Sequence, residues 1–149
     1  MLATEVDEET RVAIARIAAA REAGDPGTLI DLAASQPLAW RTSAQLGSMV
    51  AEALMAMKRT DEALALLEQL LKEFPKSIRP RKLEALVHAR KGDWRRAQML
   101  LGELYFLGER DPETVGIYAR TWRDRFAESQ DRLHLRKARD LYVEAFSTP

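Results

Sequence analysis

The chain of 149 residues has no cysteine and no asparagine, and only two histidines. Without thiols there is no disulfide framework, no thiolate metal site and no cysteine nucleophile, and the cytoplasm is the expected compartment. Neither His88 nor His134 has a second candidate ligand at i+4, as a helical metal pair requires. His88 therefore reads as a structural residue inside a helix, and His134, flanked by Leu133 and Leu135, as a surface or interface residue. The seven glycines are isolated turn markers and build no GxSxG, GxxxxGKS/T or GxGxxG loop. No apolar run approaches the roughly 20 residues that span a bilayer. The N-terminus, MLATEVDEETR, is acidic where a secretory signal needs a basic region. Asp7, Glu8 and Glu9 complement the dipole of a helix N-terminus better than they make a catalytic dyad. These absences leave no enzyme, cofactor, metal or membrane reading to build on.

Arginine outnumbers lysine 17 to 6, a bias that with the missing asparagine suggests a GC-rich bacterial genome. The formal net charge of zero hides an asymmetry: residues 1–75 carry 7 Lys+Arg against 12 Asp+Glu, and residues 76–149 carry 16 against 11. Such charge is what the solvated surface of a helical protein carries. It also allows a basic half that holds an acidic partner, or that docks on the acidic half of a second copy.

Ala51, Ala85 and Ala119 stand 34 residues apart, and Ala63 and Ala97 repeat the interval, each inside an amphipathic segment. Expected helices run over 8–23 (Val12, Ile14, Ile17 and Ala18 on one face), 26–35, 38–57, 61–74 (Ala63, Leu66, Leu67, Leu70 and Leu71), 78–90 and 94–107. A last pair opens at Glu113. Gln36-Pro37, Pro75, Lys91-Gly92-Asp93 and Gly108 to Pro112 separate them. The hairpins fall at 8–35, 38–75, 78–108 and 113–146, within a single domain spanning 1–149. Ala138, the counterpart of Ala97, lies 41 residues on rather than 34, so seven residues are inserted, between Arg125 and Arg132. Antiparallel helices sit about 8 to 10 Å apart, and the closest crossings take a side chain no larger than alanine.

A 34-residue helical-hairpin period is that of tetratricopeptide repeats. KRTDEALALLEQLLKEFP (58–75) and GDWRRAQMLLGEL (92–104) resemble second helices of that family. DPETVGIYARTWRDRF and LRKARDLYVEAF, within 111–146, resemble the repeat-like TRAF-binding domain of the apoptosis signal-regulating kinases and related bacterial proteins, which share the long last hairpin. The resemblance implies an all-α, right-handed solenoid of about four hairpins. It also implies a non-enzymatic scaffold through which a larger signalling protein meets partners and regulates an attached effector. By the tetratricopeptide pattern the first helices line a concave groove. This points Gln45, Ser48, Glu52, Met55 and Ala56, then Arg79, Lys82, Leu86, Ala89 and Arg90, then Glu113, Gly116, Arg120, Arg123 and Asp124 into it. Its five cations suit an acidic protein segment, because guanidinium forks grip carboxylates. Asparagine pairs, with which the carboxylate-clamp subfamily grips chaperone C-termini, are absent. The alternative is nucleic acid at the basic segment 76–96, where eight cations face two acidic residues. Leu133, Leu135, Leu141, Tyr142, Val143 and Phe146 exceed one buried stripe, so a homodimer or another covering element is expected there.

Overall fold

The computed structural model describes residues 2–35, 38–41 and 43–147, with side chains from residue 7 onward apart from 38 and 39. Its elements are α1 (Leu2–Ala23), α2 (Pro26–Ser35), a 3₁₀ turn (Leu38–Arg41), α3 (Gln45–Ala56), α4 (Thr60–Glu73), α5 (Ile78–Arg90), α6 (Trp94–Phe106), α7 (Pro112–Ser129) and α8 (Arg132–Ser147). The architecture is all-α, as the period requires, with no strand among the described residues. The chain divides into two compact units, Met1–Leu83 and Glu84–Pro149, and the division falls inside α5.

In the first unit α1 packs on α2, α3 and the 3₁₀ turn, and α3 packs on α4. The buried face of α1 is Ala13, Ile17 and Ala20; Val12 is half exposed and Ala18 lies outside, so the expected face of Val12, Ile14, Ile17 and Ala18 is rotated. Alanines at i and i+7 around one isoleucine let the backbones approach more closely than a row of β-branched residues would. The helix expected over 38–57 is interrupted. Trp40 is buried in the 3₁₀ turn, Ser43 Oγ accepts from the Gln45 N–H, and α3 begins only at Gln45. A hydroxyl bonded to nearby backbone competes with helix at that point. Along α4 the buried stripe narrows to Ala63, Leu67 and Leu70, while Leu66 and Leu71 are half-buried.

In the second unit α6 packs on α7, and α7 on α8. Ala97, Leu101 and Leu104 of α6 are buried, as are Val115, Tyr118 and Ala119 of α7 and Ala138, Leu141 and Ala145 of α8. Every periodic alanine is buried: Ala51, Ala63, Ala85, Ala97 and Ala119 fully and Ala138 nearly so. The insertion lies mostly in helix. Ten residues follow Ala119 in α7 against five after Ala85 in α5, and α8 gains a further turn's worth before Ala138.

Two helices start by the same chemistry. Asp25-Pro26-Gly27-Thr28 opens α2 and Asp111-Pro112-Glu113-Thr114 opens α7, each aspartate accepting from the threonine N–H and hydroxyl three residues on. The carboxylate satisfies a donor that has no partner inside the helix, and proline supplies the first helical φ without needing an N–H. These bonds, with the Thr28 hydroxyl first, hold the Asp25 carboxyl below its usual range.

Candidate partner-binding faces

The groove positions meet different fates. On α3, Ser48 and Met55 are buried, so Met55 belongs to the core rather than to a groove wall. Arg79, in the first turn of α5, donates to Glu52 of α3 at 2.8 Å; the side chains are 48% and 42% exposed. An exposed pair of this kind contributes about 0–1 kcal/mol, so it positions the guanidinium loosely while neutralising its charge. A cleft of about 450 Å³ adjoins them, lined also by Ser43, Gln45, Met49 and Ser77. Lys82 is half-buried and interacts with other groups of the chain.

In the second unit Leu86 is half-buried, and Arg90 is exposed at the end of α5. Arg120 and Arg123 lie on α7 three positions apart, hence on one face of the helix. Both are exposed, and neither has an ion pair among the described residues.

Two tryptophans of the same unit each carry an arginine. The Arg95 guanidinium stands 4.8 Å from the Trp94 ring centre and donates to Glu128 at 2.8 Å. The Arg125 guanidinium stands 5.1 Å from the Trp122 ring and donates to the Gln98 side-chain oxygen at 3.1 Å. A cleft of about 540 Å³ is lined by Trp94, Arg95, Gln98, Arg125, Ser129 and His134. His134 is half-buried: its Nδ1 is 2.8 Å from Ser129 Oγ, and its ring lies 5.5 Å from Trp122. His88 is similarly enclosed, 4.0 Å from Asp93. Both guanidiniums in the cleft are already answered by protein oxygens, which weakens any pull on a free anion.

A second polar knot joins α6 to α8. Tyr105 donates its hydroxyl to Glu144 at 2.6 Å, and Arg110 lies 3.5 Å over the Tyr105 ring. The bond to Glu144, then burial, pushes the phenol above its ordinary value of 10.0. Beyond this knot the outer face of α8 is open. Leu135, Val143 and Phe146 are 43%, 61% and 78% exposed, and Tyr142 and Phe146 stack with ring centres 6.3 Å apart. No group of three His, Asp or Glu side chains that could hold a metal occurs among the described residues, and no helix among them is long and apolar enough to cross a membrane.

This run of amphipathic helices, with a buried alanine in each of α3 to α8, is matched by the family model for Tetratricopeptide Repeats-Sensor over residues 59–148. The chain belongs to that family. The match opens beside α4 and runs through α8, so the Tetratricopeptide Repeats-Sensor region includes the whole second unit apart from its terminal residue. No curated protein matches the chain. Within this tetratricopeptide region the 34-residue period named the helices and the buried alanines. It did not reveal the Arg125–Gln98 bond or the Tyr105–Glu144 bond, whose partners lie 27 and 39 residues apart and share no local pattern.

Proposed function

We propose that the protein is a non-catalytic, cytoplasmic protein-interaction module that senses an acidic segment of a partner and regulates an effector to which it is attached. Tetratricopeptide hairpins expose their first helices to partners, and the family's description as a sensor fits binding that is read out elsewhere. The observation that carries the acidic ligand is the pair Arg120 and Arg123, exposed one turn apart on α7 with no ion pair among the described residues. Arg90 and Leu86 on α5 add a cation and an apolar contact in the same unit. Arg79 and Lys82 belong to the first unit and are the weaker candidates, since Glu52 already answers Arg79. The likeness of 111–146 to the TRAF-binding domain of apoptosis signal-regulating kinases supports the regulatory half of the reading.

Nucleic acid at 76–96 is the poorer fit. Of its eight cations, Arg79 and Arg95 are in ion pairs, and Arg81, Lys82 and Lys91 interact with other groups of the chain. Arrays of peptides graded in Asp and Glu content, probed at two salt concentrations beside RNA and DNA oligonucleotides, test the proposal. Acidic peptides should bind, weaken with salt because exposed charges are screened over about 10 Å at 0.1 M, and be lost by Arg120→Glu/Arg123→Glu. Equal retention by that variant, or tighter binding of the oligonucleotides, would overturn it.

A further inference from the structure

The surface that α6 presents to α7 has a counterpart on α8 that is exposed among the described residues. Three residues of α6 hold α7: Gln98 bonds Arg125, Gly102 lets the Tyr118 hydroxyl within 3.3 Å of where a Cβ would stand, and the Tyr105 ring lies 5.4 Å from that of Tyr118. They occupy positions i, i+4 and i+7. Ala97 and Ala138 are counterparts in the repeat, so the same 41-residue step carries the three onto Arg139, Val143 and Phe146. Those residues line a groove of about 500 Å³ together with Arg123 of α7 and Leu135 and Tyr142 of α8. Val143 and Phe146 are 61% and 78% exposed, so the surface on which α6 seats the next helix is repeated on α8, where no helix among the described residues covers it.

We propose that this groove seats an amphipathic helix from another protein, acidic along one flank, in the way that α6 seats α7. Differences between the two surfaces define the ligand. Where neutral Gln98 accepts from an arginine, α8 offers the Arg139 guanidinium, and Arg123 borders the same groove; neither has an ion pair among the described residues, so an aspartate or glutamate is selected there. Where Gly102 admits a tyrosine ring, Val143 fills the space, so an alanine or similarly small residue must sit above it. Phe146, stacked on Tyr142, supplies the aromatic anchor that dominates such grooves. A symmetric pair of α8 helices is disfavoured, since Arg132, Arg136, Lys137 and Arg139 outnumber Asp140 and Glu144 on the helix that would face itself.

The surface shares Arg123 with the α7 pair but does not include Arg120, and that pair does not depend on Arg139, so the single variants Arg120→Glu and Arg139→Glu let the two proposals fail separately. Two stapled 18-residue helical peptides with the same Ala/Leu stripe, one with glutamates and one with lysines on the flank, are titrated against the whole chain by fluorescence anisotropy. The glutamate peptide should bind and the lysine peptide should not. Val143→Asp should weaken binding roughly tenfold or more, the scale of losing a central anchor. Arg139→Glu should reverse the preference, and Arg120→Glu should leave it unchanged; circular dichroism checks that each variant is folded. Failure of both peptides to bind, equal binding of the two, or indifference to Val143→Asp would overturn the proposal. Loss with Arg120→Glu but not Arg139→Glu would assign binding to the α7 arginines instead. Light scattering that reports a dimer abolished by Val143→Asp would assign the groove to a second copy and also overturn it.

Discussion

Gly47 offers a clean test of how the first unit is packed, because the usual sign of a glycine-to-alanine change in a helix should be reversed there. Replacing a helical glycine by alanine ordinarily stabilises by about 0.5–1 kcal/mol, since the unfolded chain has less freedom to lose. At Gly47 of α3, however, a Cβ would stand 2.5 Å from one Leu70 methyl, 2.9 Å from the other and 3.1 Å from its Cγ. Leu70 is 7% exposed on α4 and has little room to withdraw. Overpacking of a filled site costs typically about 1–3 kcal/mol, so Gly47→Ala should destabilise by about 1 kcal/mol net. Gly116 on α7 is the control: a Cβ there meets nothing within 4 Å, so Gly116→Ala should stabilise by about 0.5–1 kcal/mol. Urea unfolding followed by circular dichroism measures both. A double-mutant cycle with Leu70→Ala should show coupling of about 0.5–3 kcal/mol, as residues in contact do. If Gly47→Ala stabilises as much as Gly116→Ala, or the cycle is additive, α3 and α4 are not packed as described.

Ala85 is fully buried in α5, so Ala85→Trp should destabilise by about 1–3 kcal/mol or more, seen as a lower melting temperature; an unchanged one would mean the repeat register is wrong. Asp111→Ala removes the carboxylate that receives the Thr114 N–H and hydroxyl, and should cost about 1 kcal/mol in urea unfolding, with Asp111→Asn recovering most of it. Tyr105→Phe should cost about 1 kcal/mol near neutrality by leaving Glu144 without its donor. Because the folded phenol titrates above its unfolded value, that contribution is whole below about pH 10 and is lost as pH rises through the raised value. Wild type and variant should therefore converge in stability only in strong alkali, and convergence near pH 8 would refute the bond.

Helix type, number and most boundaries were legible in the chain because they follow from spacings of three and four residues and from turn residues beside them. The span Ile78–Arg90 and the start of α6 at Trp94 are where periodicity and Gly92 put them. The seven-residue insertion was legible too, through the displaced Ala138, although only the fold shows that most of it lengthens α7. Two local readings failed for local reasons of a kind that periodicity does not register: the Ser43 hydroxyl bond that delays α3, and the alanine-led rotation of α1.

The charges were the least legible. Counting cations placed Arg79 and Arg95 among the candidates for binding, yet Glu52 and Glu128, 27 and 33 residues away, neutralise them. Sequence by itself determined the repeat: a 34-residue period with alanine at each crossing allows little but stacked helical hairpins, since only small side chains permit so close an approach. Tertiary structure alone decided which surfaces stay available, because ion pairing and burial depend on residues that the fold brings together from distant parts of the chain. It left Arg120 and Arg123 unpaired among the described residues of α7, and Val143 and Phe146 uncovered on α8.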